Sequence, residues 1–382
     1  MAQIMRWNFA DLTKAERNRF VQAVLKMKKD GIYDWYVQTH IDSMWMLNDM
    51  SKPMPMWAHM RPAFLPWHRQ FILDFENDMR AADEALTGKT PSDLALPYWD
   101  WINFRSPSSS LYWGTLWSAD FMGGDGNGPP DNKVTNGPFT GSAWPLTFDA
   151  GSDYQTFTQH GKPFLQRALG ASKRAPTLPT EDEWEAARDL TSYDDSYWDS
   201  NTGWQPPTPR FNGVKSFRNA LEGWIGYYPD AAAVAAQKDP KHPLSSLHNR
   251  VHAWVGGSLS PLSSPNDPVF FLHHCNVDRL WAEWQAAHAT LPDQYLPKDG
   301  VADVTDPDGE KDGNGNLMKP EVIHLQGHHL TDPMPPWDGR PATRKGLTGN
   351  MPVRRPADVL NHVNLGYRYF TDPPSVTATG TP

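Results

Sequence analysis

The chain has 382 residues, a formal net charge of −9 and a hydrophobic content of 39%, which is enough to bury a sizeable core. The acidic balance argues against a nucleic-acid partner, and the single cysteine, Cys275, excludes an internal disulfide and a cysteine-based zinc site. Apolar runs are too short for a membrane span or an ordinary secretory signal, so we expect a cytoplasmic protein or one exported with a partner.

Apolar residues recur at helical spacing in six segments of the chain. At the start of the first segment, Thr13 and Glu16 have the spacing of a capping box. The third segment follows Pro66 and carries His68 at its beginning. The predicted helices are 12–27, 33–47, 67–86, 217–224, 244–255 and 276–288.

Long irregular segments rich in Pro, Gly or acidic residues separate these helices, and their composition is also that of linkers. The candidate metal ligands lie on both sides of the first two segments. We therefore predict loops within one catalytic domain, residues 1–373, followed by a disordered tail, 374–382. The irregular segments are 123–138, 182–209, 297–318 and 333–356.

Three histidines in the second half of the chain suggest a metal site. His248 and His252 are four residues apart in LHNRVHAW, so both rings project from one helix face and can share a metal. Two unrelated histidines on a partly exposed helix are the alternative. His274 follows an Asn-Asp-Pro turn and an apolar run, and is predicted to lie at the start of a helix. A histidine in such an apolar setting needs a partner.

Three histidines in the first half form a similar set, although each one alone is more often structural. His40 lies on a predicted helix, His59 in a loop after two prolines, and His68 at the start of the next helix. Each set thus ends in a histidine that is predicted to open an amphipathic helix. This symmetry favours two related sites.

Neutral imidazoles bind copper, zinc, iron or nickel. A zinc hydrolase usually adds a carboxylate, as in His-Glu-x-x-His, whereas Asn249, Arg250 and Val251 lie between His248 and His252. Two adjacent all-histidine sites favour a copper pair that binds dioxygen.

The chain resembles bacterial tyrosinases, which belong to the type-3 copper family, over most of residues 1–373. The resemblance is densest in MRPAFLPWHRQFILDFE, LPYWDW, FRNALEGW, LHNRVHAWVGG and SPNDPVFFLHHCNVDRLWAEWQ. It implies a mainly α fold in which four antiparallel helices hold a dicopper centre, with long irregular loops and few short strands. One copper would bind His40, His59 and His68, and the other His248, His252 and His274, with His273 outside the ligand set.

The resemblance also implies the chemistry. With O2 as co-substrate, such an enzyme hydroxylates monophenols at the ortho position and oxidises o-diphenols to o-quinones. Glu222 and Asn249 match the two residues proposed to hold a water that takes the phenol proton. A solvated helix carboxylate and a surface amide are the alternatives for these two residues. The expected partners are a phenolic small molecule and a copper-delivery helper protein.

Several further residues carry expectations. Phe270 should pack on a ligand imidazole, and Cys275 should point into the core. Asp278 should either orient a ligand ring or pair with an arginine. A cluster in a polar loop is predicted to be solvated: His324, His328 and His329.

Two other functions share the six histidines. A catechol oxidase or an o-aminophenol oxidase would lack physiological monophenolase activity. A hemocyanin-like O2 carrier would need a shielded pocket that excludes phenols.

Overall fold

The fold is mainly helical, with eight α-helices and eight short strands in the part of the chain that the computed structural model describes. That part comprises residues 3–43, 57–103, 114–147, 163–194, 216–223, 226–228, 230–236, 244–298, 328–374 and 376–377, and backbone alone for 149–150, 157–158, 210–211, 303–305 and 322–324. The helices are α1 Lys14–Lys29, α2 Tyr33–Asp42, α3 Phe64–Thr87, α4 Glu181–Arg188, α5 Phe217–Glu222, α6 Ala231–Ala235, α7 Leu247–Val255 and α8 Val269–Ala287.

Four helices, α2, α3, α7 and α8, carry five of the six candidate ligands. An aromatic cluster holds three of them together: Tyr36 of α2 contacts Phe71 and Phe75 of α3 and Phe271 of α8. Phe75 and Phe271 stack with ring centroids 3.4 Å apart. Each of these buried rings contributes roughly 1.5–3 kcal/mol through removal from water. The helices are therefore fixed to one another close to the histidines.

The strands pair two by two and form only small sheets. The first and last strands pair in parallel, with Met5 opposite Arg368. This pairing brings the two ends of the described chain together. The strands are β1 Ile4–Arg6, β2 Asp149–Ala150, β3 Phe157–Thr158, β4 Arg210–Phe211, β5 Tyr227–Tyr228, β6 Asp303–Thr305, β7 Val322–His324 and β8 Tyr367–Tyr369.

Two helices begin earlier than the sequence pattern predicts. Helix α3 begins at Phe64, so Pro66 lies within its first turn, where a missing N–H costs no helical hydrogen bond. Helix α8 begins at Val269, where the Asp267 carboxylate accepts a bond from the Val269 N–H (3.1 Å). The prediction that His68 and His274 open their helices is therefore wrong. The apolar first turns of both helices are buried and so show no polar face.

Helix α4 was not predicted, because its acidic segment resembles a loop. Thr180 and Glu183 form a capping box at its start, the same motif that begins α1 at Thr13 and Glu16. The predicted extension of α2 to residue 47 and the predicted end of α5 at Trp224 lie outside the described residues. So do the following parts of the predicted irregular segments and tail: 195–209, 299–302, 306–318, 375 and 378–382. Every helix in the described ranges is too short or too polar to span a bilayer.

Candidate metal centre

The three histidines of the second half converge. His248 and His252, one turn apart on α7, bring their Nε2 atoms to 3.0 Å, and the Nε2 atoms of His252 and His274 are 3.4 Å apart. The helix α8 supplies His274 opposite the i, i+4 pair. The spacing in LHNRVHAW therefore places two rings on one face, as predicted.

The three histidines of the first half also converge, although they come from three separate pieces of chain. His40 lies on α2, His68 on the second turn of α3, and His59 in the turn that precedes α3. Their ring centroids are 4.8 Å apart for His40 and His59, 5.0 Å for His59 and His68, and 5.7 Å for His40 and His68. One ligand atom from each lies within 4.8 Å of the others.

The two clusters lie next to each other. His68 and His274 stack with ring centroids 4.3 Å apart, and His59 and His248 are 6.5 Å apart. Phe270 packs against both clusters, at 4.1 Å from His274 and 5.0 Å from His40. The expectation that Phe270 contacts a ligand imidazole is confirmed. A pair of ions bound here would be close neighbours in an apolar enclosure.

The hydrogen bonds of the rings fix where their protons lie. In four of the histidines Nδ1 contacts a backbone carbonyl oxygen, which can only accept, so Nδ1 carries the proton and Nε2 a lone pair. The pairs are His40 with Leu262 (2.6 Å), His68 with Phe64 (2.8 Å), His248 with Glu222 (3.1 Å) and His252 with Leu259 (2.7 Å).

These tautomers leave nitrogen lone pairs that face one another. The Nε2 atoms of His248 and His252 are both acceptors at 3.0 Å, and the buried Nε2 atoms of His40 and His68 have no hydrogen-bond partner among the described residues. A cation between the rings relieves this arrangement, and neutral imidazoles are suitable ligands for copper. As far as the structure describes the chain, neither cluster contains a carboxylate or a thiolate. The residues present therefore fit a copper pair.

Burial keeps all of these rings neutral. It lowers the pKa of His40 from 6.5 to about 3 and the pKa of His252 to about 4. Desolvation is the main cause, because an apolar enclosure penalises the charged imidazolium. In the remaining rings, neighbouring imidazoles lower the pKa further. The pKa is lowered well below its usual value in His59, His68, His248, His273 and His274.

Glu222 is a buried carboxylate at the end of α5, so the alternative of a solvated helix carboxylate is wrong. Its Oε1 accepts a hydrogen bond from the Met60 N–H (2.5 Å), and its Oε2 accepts one from Arg218 (2.6 Å). Its backbone carbonyl holds Nδ1 of His248. Glu222 thus contacts the residue after His59 and the ring of His248, and so connects the two clusters.

Asn249 follows His248 on α7, and its Nδ2 atom is buried without a hydrogen-bond partner in the described structure. The alternative of a satisfied surface amide is therefore wrong. A buried amide group that donates no hydrogen bond costs about 1–3 kcal/mol. Such a cost is expected where a ligand or a water is bound during function.

Glu183 of α4 is a residue that the sequence did not single out. Its buried carboxylate accepts hydrogen bonds from the Leu247 N–H (3.1 Å), from the Ser246 hydroxyl and from Arg250 (2.8 Å). It therefore caps the N-terminus of α7 from another helix. The capping box of α4 was the one local signal that could have identified it.

Three other expectations are settled by contacts. Asp278 pairs with Arg69 and with Arg6 (3.3 Å), so the arginine alternative is correct. Cys275 is fully buried, with Sγ 3.5 Å from the Leu96 carbonyl oxygen, as expected. The predicted solvation of His328 is wrong, because this residue is buried and its Nδ1 accepts a bond from Ala63 N–H (3.2 Å). The side chain of His324 lies outside the described residues.

Comparison with known proteins places this site in a family. Residues 30–287 match the family model for the common central domain of tyrosinase. A tyrosinase of Streptomyces antibioticus is 40% identical, over 79% of this chain and 89% of the relative. A tyrosinase of Streptomyces glaucescens is 35% identical, over 96% of this chain and 99% of the relative.

One relative with another name is nearly as similar. Grixazone synthase of Streptomyces griseus is 34% identical, over 96% of this chain and 98% of the relative. A mushroom tyrosinase structure superposes with a TM-score of 0.52 at 14% identity, over 97% of this chain and 62% of that chain, and shows the same fold. The family match and the extensive coverage of relatives together show that the chain belongs to the tyrosinase family, as its sequence motifs indicate.

Proposed function

We propose that the chain uses two copper ions and O2 to hydroxylate monophenols at the ortho position and to oxidise o-diphenols to o-quinones. Membership of the tyrosinase family makes it a tyrosinase-type phenol oxidase. The observation that carries the ligand assignment is the set of facing, unprotonated Nε2 atoms in two adjacent clusters. In this proposal one copper is held by His40, His59 and His68, and the other by His248, His252 and His274.

Copper supplies the redox chemistry with O2 that side chains lack. The chain contributes the rest. The Leu262, Phe64, Glu222 and Leu259 carbonyl oxygens hold the imidazole rings in one tautomer and one orientation. Burial keeps the rings neutral and limits the access of water.

Removal of the phenol proton is the step that distinguishes monophenols. A free phenol has a pKa of about 10, so a base close to the site is useful. A carboxylate can accept about four hydrogen bonds, so that of Glu222 can accept one from a water as well as those from Met60 and Arg218. The Nδ2 of Asn249 has no acceptor among the described residues. These two groups can hold a water between them, which takes the proton and passes it to Glu222.

The direct experiment is to load the purified protein with copper and supply L-tyrosine and L-DOPA separately. We expect about two copper ions per chain and quinone formation from both substrates. Quinone from L-DOPA alone identifies a catechol oxidase. Reversible O2 binding without turnover of either phenol identifies a carrier. The absence of copper uptake contradicts the ligand assignment.

Glu222→Gln tests the base directly. Glutamine keeps an oxygen acceptor for the Met60 N–H but cannot accept a proton, so copper content should not change. We expect L-tyrosine turnover to fall by about 10²-fold, the usual size of a general-base effect, while L-DOPA turnover stays within about twofold. Glu185→Gln, on the exposed face of α4, is the matched control. Equal losses on both substrates would contradict the proposed role.

A further inference from the structure

A seventh imidazole lies inside the second cluster. The ring of His273 on α8 is fully buried and stacks on His248, with centroids 5.1 Å apart and planes at 15°. The ring lies against the backbone carbonyl of His248, and neither ring nitrogen makes a close hydrogen bond among the described residues. A buried ring nitrogen left without a hydrogen bond costs about 1–3 kcal/mol. Packing alone would be served better by an apolar residue of the same size.

The nitrogens of His273 lie within reach of an ion in the second cluster. One ligand atom from each of His248, His252, His273 and His274 lies within 4.8 Å of the other three. Two imidazole nitrogens on opposite sides of one ion are about 4 Å apart, since each bond is about 2.0 Å. A small ring rotation would therefore bring His273 onto the ion. In the described structure the first cluster contains three rings and no such fourth ring.

The exposure of the rings suggests an order of binding. His252 is partly exposed, whereas the other three rings of this cluster are buried. The His252 ring is 4.8 Å from His273 and 5.5 Å from His274. His274 in turn is stacked between Phe270 (4.1 Å) and His68 (4.3 Å), at the boundary with the first cluster. An ion that arrives at His252 therefore has the imidazoles of both His273 and His274 within reach, and because His274 belongs to the proposed final ligand set, a state bound by His273 would come before it.

We infer that His273 is a fourth copper ligand of the second site, which binds the incoming ion together with His248 and His252 before His274 replaces it. The inference rests on the proposed copper function. In the exchange one copper–nitrogen bond forms and another breaks, and the oxidation state of copper does not change.

The test is an anaerobic titration of the metal-free protein with Cu(I) against a competing chelator, with copper counted per chain. The wild type should bind two ions. His274→Asn should still bind a second ion, about 100-fold more weakly, because His273 remains. The double variant His273→Phe/His274→Asn should bind one ion, because both alternative ligands are gone. Circular dichroism of each metal-free variant checks that the helices are intact.

A second measurement does not depend on His274 variants. His273→Phe keeps a ring against His248, so it should bind two ions at equilibrium but take up the second one several-fold more slowly than the wild type. Uptake at the wild-type rate would overturn the inference, as would equal copper content in His274→Asn and the double variant. A wild type that binds no copper would instead overturn the proposed function, and this inference with it.

Discussion

The two proposed copper sites are built in different ways, although each would use three imidazoles. In the second site His248 and His252 come from one helical turn, so the local backbone sets their separation. In the first site the rings come from α2, from a turn and from α3, and distant residues hold them. The Leu262 carbonyl fixes His40, and Glu222 fixes the backbone beside His59.

This difference shows that the first site depends on the second half of the chain. Residue pairs separated by 222 and 162 positions join His40 to Leu262 and Met60 to Glu222. The second site depends on shorter separations, such as the 26 positions between Glu222 and His248. We therefore expect the second site to form first and to survive damage to the first.

Removal of one histidine ligand should have the largest effect on phenol oxidation. His59→Asn should reduce phenol oxidation to background, because both ions are needed, while one copper remains at the second site. The double variant His252→Asn/His273→Phe is the counterpart, because it also removes the fourth imidazole, and it should leave the first site as the occupied one. Copper counting and activity assays on both variants check this prediction. Loss of both ions in His59→Asn would contradict the independence of the second site.

Acidification tests a property that the two sites share, which is a buried histidine with a lowered pKa. The folded pKa is about 3 for His40 and about 4 for His252, both lowered from 6.5 by burial. Between these pKa values and pH 6.5 the unfolded chain binds protons that the folded, metal-free protein does not. The contribution of these histidines to the free energy of unfolding is therefore complete above pH 6.5 and is lost as the pH falls below it. Thermal melts of metal-free and copper-loaded protein should show this loss, and a flat profile for the metal-free form would contradict it.

Removal of the Glu183 cap of α7 tests the second site alone. Glu183→Gln leaves the buried Arg250 without a charged partner, and breaking such a pair costs about 3–5 kcal/mol. We expect a lower melting temperature and weaker copper binding at the second site, with the first site less affected. Glu185→Gln on the exposed face of the same helix is the control. Equal weakening of both sites would show that α7 does not act separately.

Substitution of Phe270 should have the smallest effect on copper affinity, and it should affect both sites. Its ring contacts His274 and His40, so Phe270→Leu should lower copper affinity modestly at both sites, by about 1 kcal/mol each. Phe271→Leu is the matched control, because Phe271 is equally buried but stacks on Phe75. Competition titrations compare the two variants. An effect on one site alone would contradict the bridging contact.

The sequence predicted the second site better than the first, because only the second site contains a local spacing pattern. The i, i+4 spacing of His248 and His252 is a local pattern, and one helix turn converts it into a distance. The grouping of His40, His59 and His68 depended on resemblance, since no local rule relates a helix, a turn and the next helix. The starts of α3 and α8 were missed because buried first turns show no amphipathic pattern.

Contacts between distant residues could not be predicted at all. The carboxylate of Glu183 meets the start of α7 from 64 positions away, and its own segment has the composition of a loop. The bond from Met60 to Glu222 is likewise invisible in the sequence. The chemistry of Glu222 could be inferred, but its burial and its link between the two sites could not.

The parallel pairing of β1 with β8 has a consequence for the timing of folding. Arg6 binds Glu76 of α3 and Asp278 of α8, and Asp278 also accepts hydrogen bonds from Tyr367 (2.6 Å) and Tyr369 (2.5 Å). Asp278 lies one turn beyond His274 on the same helix. During synthesis on the ribosome this helix cannot gain its full set of contacts until residue 369 has been made. All 14 histidines are therefore synthesised before the contacts that complete the enclosure can form.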